Sequence, residues 1–295
     1  MRMIALAAII VLSLCAVLPA QVSFQRTYGG TATDQAWSVV PAVDGGYFVA
    51  GHTSSYGAGL NDAWLIRTGA AGETLWTRTF GGEDFDEVYA AARTADSGWV
   101  MTGETYSQGA GLCDLWLVRT DASGDTLWTR TFGGIHEDRG RSVVQTQDGG
   151  YIIGGSTASF GPRWNDPDYW LVRTDAAGDT LWTRTFGGTE WDYAFSVTPT
   201  DDGGCVIAGV TESFGAGEGD LLLVRADASG DSLWTRCYGG ESDDWGCSVA
   251  QTDDGGCIVA GFSYGDGAED AALWLVKTDA SGDSLWTRTF GGTVH

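Results

Sequence analysis

Apolar and polar positions alternate along most of the chain in short runs, broken by glycine and aspartate. Between residues 135 and 188 the runs are RSVVQT, YIIGGS, DYWLVRT and LWTRTF, separated by QDGG, by a loop rich in glycine and asparagine, and by DAAGD. β-Branched and aromatic residues at a period near two, bounded by such turns, predict strands. Beyond the N-terminal leader no stretch carries a 3.6-residue apolar period over helical length. The pattern predicts an all-β chain.

The pattern also repeats. LWTRTFGG or LWTRCYGG closes each unit, and VSFQRTYGG at 22–30 matches the same closing segment. The final glycines are Gly30, Gly82, Gly134, Gly188, Gly240 and Gly292, spaced 52, 52, 54, 52 and 52 residues apart. A fixed period of this size signals a solenoid, propeller or array. Four short strands per unit, many with both faces apolar, suit a sheet packed between two neighbours. The prediction is therefore one domain over 21–295, a β-propeller of five four-stranded blades at 31–82, 83–134, 135–188, 189–240 and 241–292. A surplus N-terminal strand at 22–30 accompanies them. An incomplete six-bladed arc is the alternative.

Composition narrows the function classes. The 295 residues hold 45 glycines and 14 tryptophans, and 16 Lys+Arg stand against 39 Asp+Glu for a net charge of −23. Such a surface repels phosphate backbones, so no nucleic-acid partner is expected. Arg2 and the apolar run Ile4–Leu18, ending at Pro19-Ala20, read as a signal peptide over 1–20. The run is shorter than the ~20 residues of a membrane span, and no later segment approaches that length. A secreted or cell-surface protein is the expectation. Cys113, Cys205, Cys237, Cys247 and Cys257 would remain after cleavage, an odd number that fits no disulfide framework. Cys205 and Cys257 fill the slot of Tyr47, Trp99 and Tyr151, which marks them as core positions.

RTDASGDTLWTRTFGG at 119–134 resembles the tryptophan-docking repeat of quinoprotein-type propellers. The whole unit, with DGGYIIGGS and DYWLVRTD, is similar to bacterial and archaeal β-propeller repeat proteins. The resemblance covers 22–292 and speaks for fold more than activity. It implies that Trp76, Trp128, Trp182, Trp234 and Trp286 tie each blade to the next. The DGG turns read as tight hairpins. The repeated cations Arg67, Arg119, Arg173, Arg225 and Lys277, with Arg78, Arg130, Arg184, Arg236 and Arg288, read as a surface girdle. Arg130 is placed opposite Trp116 as a cation–π pair.

Acidic and repeat-breaking positions are the functional candidates. Asp34, Asp86, Asp138, Asp192 and Asp244 recur in the loop between blades, with Asp62, Asp114, Asp168 and Asp220 in the loop between second and third strands. On one face they would form a carboxylate ring, for which Ca²⁺ is the matching cofactor. Capping of their own loop backbones is the other reading. Unit three alone carries two extra residues, in SFGPRWNDPDYW, presenting Arg163, Trp164, Asn165 and Asp166, with Trp191 and Trp245 in neighbouring units. Tryptophans beside carboxylates and amides suit a protein or glycan ligand. No Ser/His/Asp or HExxH arrangement occurs, so no catalytic residue is named. The expected function is a binding or scaffold module. A glycan-cleaving or quinone-dependent propeller enzyme, or a structural segment of a larger surface protein, are the alternatives.

Overall fold

The computed structural model describes residues 24–163, 166–265 and 271–291. The leader at 1–20, the first residues of the 22–30 segment, and Trp164 and Asn165 lie outside them. The first blade is β1 (Asp34–Pro41), β2 (Tyr47–Thr53), β3 (Asp62–Thr68) and β4 (Thr74–Phe80). The second is β5 (Asp86–Arg93), β6 (Trp99–Thr105), β7 (Asp114–Thr120) and β8 (Thr126–Phe132). The third is β9 (Asp138–Gln145), β10 (Tyr151–Thr157), β11 (Asp168–Thr174) and β12 (Thr180–Phe186). The fourth is β13 (Asp192–Pro199), β14 (Cys205–Thr211), β15 (Asp220–Ala226) and β16 (Ser232–Tyr238). The fifth is β17 (Asp244–Gln251), β18 (Cys257–Ser263), β19 (Ala272–Thr278) and β20 (Ser284–Phe290). Each blade is an antiparallel meander in sequence order. The five-bladed, four-stranded, all-β architecture is as the sequence predicts.

Successive first strands touch one another (β1 with β5, β5 with β9, β9 with β13, β13 with β17), so the first strands line the inner wall. The middle strands are buried on both faces because a neighbouring sheet covers each. Phe48, Ala50, Ala63 and Leu65 of the first blade pack on Val88, Trp99, Met101, Trp116 and Val118 of the second. Equivalent clusters fill the three following junctions. No comparable packing joins the fifth blade to the first among the described residues. The five sheets thus form an arc with an open seam.

The tryptophans of the outer strands meet the next blade. Trp76, Trp128, Trp182 and Trp234 lie against the glycine of the next blade's outer hairpin, Gly124, Gly178, Gly230 and Gly282. Trp182 and Trp234 donate their indole N–H to Ala228 and Ala280 carbonyls at 3.2 and 3.1 Å. Residues 24–30 belong to no sheet, yet they repeat this contact on the first blade. A Cβ on Gly72 would meet the Phe24 ring at 2.5 Å, and Tyr28 donates its hydroxyl to Gly72 O at 2.7 Å.

Two expectations about the cations are corrected. Arg67, Arg119 and Arg173 are buried rather than a surface girdle, because each guanidinium reaches the aspartate of its own blade's inner hairpin. Arg119 Nη2 lies 2.5 Å from both Asp96 oxygens, and Arg173 Nη2 lies 2.6 and 2.7 Å from those of Asp148. Thr146 and this arginine hold the Asp148 carboxyl down at about 2. Arg130 stands across from Leu117, and its guanidinium covers Trp128 on its own strand, 5.5 Å from the ring centre, instead of Trp116. All five cysteines among the described residues are free, with Cys113, Cys205 and Cys257 buried.

Gly178 adopts φ +81°, and a Cβ there would stand 2.8 Å from the Trp128 ring. Gly178→Val combines left-handed backbone strain with displacement of that indole, and costs about 2–4 kcal/mol. A thermal melt should show a markedly lower midpoint. Gly149→Ala, at a similar φ of +86° but with only a distant alanine methyl nearby, should cost less.

Candidate functional site

Every first strand opens on an aspartate, and geometry explains why. Asp86 accepts from Gly82 N at 2.7 Å and Ser107 Oγ at 2.6 Å, and its other oxygen accepts from Thr105 Oγ1. Asp138 repeats the set with Gly134, Ser159 and Thr157, and Asp34 with Gly30, Ser55 and Thr53. Asp192 and Asp244 accept from Gly188 and Gly240 N at 2.8 and 2.7 Å. Asp86, Asp138, Asp192 and Asp244 are buried, so they knit the interblade loop instead of facing solvent. Backbone N–H groups reach each of them, as in loop caps, although Asp192 Oδ1 is left without a partner among the described residues. Among the described residues no group of three or more His, Cys, Asp or Glu side chains is placed to hold a metal ion.

The third-strand aspartates cap a second loop. Asp62, Asp114 and Asp220 each accept two backbone N–H groups, from Ala58 and Gly59, Ala110 and Gly111, and Ala216 and Gly217. Asp168 departs from the set. Unit three has Pro162 where the others have alanine, and proline has no N–H to give. The Asp168 Oδ1 atom is buried without a hydrogen-bond partner among the described residues. Burial, then the charges of Asp192 and Asp166, raise its carboxyl from 3.8 to about 7.

The repeat-breaking loop is drawn back onto the next blade. Arg163 Nη1 donates to Thr189 O at 2.6 Å and lies 3.3 Å from Glu190 Oε1 and 3.6 Å from Asp166 Oδ2. Trp191, next to Glu190, is half exposed and meets Tyr193 edge-on at 6.2 Å. Trp245 belongs to a different cluster, stacked on Phe195 at 5.7 Å and tilted against Phe262 at 5.2 Å. The structure therefore brings Arg163, Asp166 and Glu190 together, leaves Trp191 against Tyr193, and places Trp245 on the inner wall.

That wall is what sequence reasoning missed. Each first strand carries a β-bulge after its third residue, which leaves the fourth unpaired and re-aims it. The bulge residues are Trp37, Tyr89, Arg141, Phe195 and Cys247, preceded two positions earlier by Gln35, Glu87, Arg139, Tyr193 and Trp245. Not one of these two positions keeps its residue between units. Arg141 sits 3.9 Å over the Tyr89 ring, and Trp37 packs edge-on against the same ring at 5.9 Å. The Tyr89 hydroxyl lies between Glu87, at 2.8 Å, and Glu104. Burial first, then the Glu104 charge, pushes that phenol well above its ordinary value. Arg139 pairs with Glu104 at 2.5 Å and with Glu137 at 2.8 Å. Asn61 donates to Glu87 at 2.8 Å, and His52 Nδ1 lies 3.6 Å from the same carboxylate. Cys113 packs beside Glu104, and burial raises its thiol to about 12, so it is no nucleophile at neutral pH. The signal in the sequence was variation at fixed repeat positions; the bulge that makes it a surface was not legible.

The unpaired carboxyl sets a pH dependence. Between about 4 and 7 the folded chain holds a proton on Asp168 that the unfolded chain has released, so stability falls as pH rises through that window. Asp168→Asn carries no such loss. It should raise stability by about 1–3 kcal/mol at pH 8 and by little at pH 4, checked by melts at both values.

No protein-family model matches the chain. A curated relative, the regulatory protein FlaEY of Caulobacter vibrioides, is 27% identical over 222 residues, 68% of this chain. The chain spans only 21% of that protein's length. A solved protein of unknown function from Bacteroides caccae superposes with TM-score 0.53 at 15% identity, over 86% of this chain and 81% of that one. The WD40 domain of Pan2 from Neurospora crassa gives 0.54 at 9% identity, over 86% of this chain and 66% of that one. These likenesses are of fold: the chain is a β-propeller of repeated four-stranded blades, akin in architecture to WD40 domains.

Proposed function

We propose that this protein is an exported binding or scaffold module that engages a protein partner through the inner wall of its first strands. One observation carries the reading. The framework positions repeat from blade to blade, whereas the wall positions change from Trp37 to Tyr89, Arg141, Phe195 and Cys247. Aromatic rings and a guanidinium on a rigid strand scaffold are the residue types that dominate protein interfaces. The name of the FlaEY relative, a regulatory protein, accords with binding. A glycan ligand is the second reading, favoured by half-exposed Trp191 beside Glu190 and Arg163.

Export rests on the 1–20 leader pattern, and N-terminal sequencing of secreted material should then begin at Gln21. A glycan array run beside a glycosidase screen and a partner-capture assay separates the remaining readings. Capture of one defined protein that is weakened at least tenfold by Tyr89→Ala and Arg141→Ala, but not by Trp191→Ala, supports the first. Glycan binding lost with Trp191→Ala supports the second. Catalytic turnover of any glycan would overturn both in favour of an enzyme.

A further inference from the structure

Each interblade junction receives, at its hairpin end, two side chains from the later blade, one closing the first strand and one opening the second. At the first junction these are Arg93 and Trp99, and Trp99 stacks on Phe48 with ring centres 3.8 Å apart. At the second they are Gln145 and Tyr151. The Tyr151 hydroxyl accepts from Arg119 Nε at 2.9 Å, and its ring meets Trp128 edge-on at 5.8 Å. Gln145 Oε1 accepts the Ala95 N–H at 2.8 Å. The fourth junction keeps a glutamine, Gln251, beside Cys257. The third has Pro199 and Cys205, so among these four it alone lacks both larger side chains.

A cleft of about 700 Å³ stands at this third junction, against about 310 Å³ at the first. Its size suits a small molecule. Its lining contains the counterparts of the groups that hold the filling side chains at the second junction. Arg173, counterpart of Arg119, keeps the shared bonds from Nη1 to the Thr174 carbonyl and from Nη2 to Asp148, yet its Nε donates to no group among the described residues. Gln147 takes the place of Ala95, and Pro199 has no side-chain oxygen to accept its N–H. Trp182, counterpart of Trp128, also lines the cleft. The two cations of the lining are already paired, Arg173 with Asp148 at 2.6 Å and Arg184 with Asp231 at 3.2 Å. Asp201 adds an exposed carboxylate. An anion finds no free positive charge there, and a neutral ligand with hydrogen-bond acceptors fits.

We propose that the cleft between the third and fourth blades binds a small neutral phenol bearing a carboxamide, which supplies the two groups that Tyr151 and Gln145 supply one junction earlier. The ring lies against Trp182, as Tyr151 lies against Trp128. The phenolic oxygen accepts from Arg173 Nε, and the amide oxygen accepts the Gln147 N–H. Both blades have a neighbour on either side, so the cleft is complete within the described residues. It opens among the hairpin turns and stands apart from the bulged wall of the first strands, so it does not rest on the protein-binding reading.

Ligand-observed NMR titration of the chain with 4-hydroxyphenylacetamide tests the proposal. Saturable binding with a Kd below about 5 mM is expected for a ligand of this size. Phenylacetamide, which lacks the hydroxyl, should bind about threefold more weakly or worse. Pro199→Gln, a change at an exposed position, returns an acceptor to the Gln147 N–H and should weaken binding severalfold. Adding Cys205→Tyr rebuilds the filled junction and should abolish binding, with a circular dichroism melt showing that the double variant is folded. If the double variant does not fold, Pro199→Gln alone decides the test. Absence of saturable binding to the wild-type chain overturns the proposal. So does equal affinity for phenylacetamide, or binding that Pro199→Gln leaves unchanged. A blocked Gly-Tyr-Gly peptide that binds more tightly than the free amide also overturns it, in favour of a tyrosine on a partner protein.

Discussion

A sheet with two apolar faces must have a neighbour on each side, and this constraint governs the molecule. Strands such as β6, β10 and β14 are buried along their whole length only because a further blade follows and another precedes. Burial of that kind, at ~25 cal/mol per Å² of apolar surface, is the largest stabilising contribution the blades can draw on. It also explains why the blades are so alike. A side chain such as Leu221 must fill the space left by the next unit's first strand, where Gly246 allows close approach, so each unit's outward shape is dictated by its neighbour's inward one.

Charge is handled by the same economy of space. The chain carries a large acidic excess, yet many of its aspartates are occupied. Those at the starts of first strands accept loop N–H and hydroxyl groups, and those of the inner hairpins pair with a buried guanidinium. A carboxylate given several donors costs little to bury, whereas one deprived of them is pushed toward its neutral form. Asp168 illustrates the second case: Pro162 withholds one of the loop N–H groups that its counterparts accept, its Oδ1 is buried without a partner among the described residues, and burial raises the group to about 7.

The framework frees the inner wall to vary. Since β-bulges push one side chain per blade out of the ladder, those positions lie outside the interblade core clusters and can differ without disturbing them. Tyr89, Arg141, Glu87 and Glu104 form a linked patch over the second and third blades, while Phe195 and Trp245 make an aromatic one over the fourth and fifth. A single scaffold thus offers chemically different regions along one concave side.

The sequence by itself determined the strands, the repeat boundaries and the five-bladed order, because those follow from local alternation and from glycine and aspartate turns whose chemistry acts within a few residues. It also marked Trp76, Trp128, Trp182 and Trp234 as special by their recurrence. What it could not decide were matters of distance between units. Whether Arg119 lies outside or reaches Asp96, whether Asp86 faces a channel or a hydroxyl, and which of Val39 and Val143 meets a covering sheet all depend on residues far along the chain. Identical local sequence, placed at the end or in the middle of the arc, is exposed in one case and buried in the other, because burial belongs to the neighbour as much as to the residue.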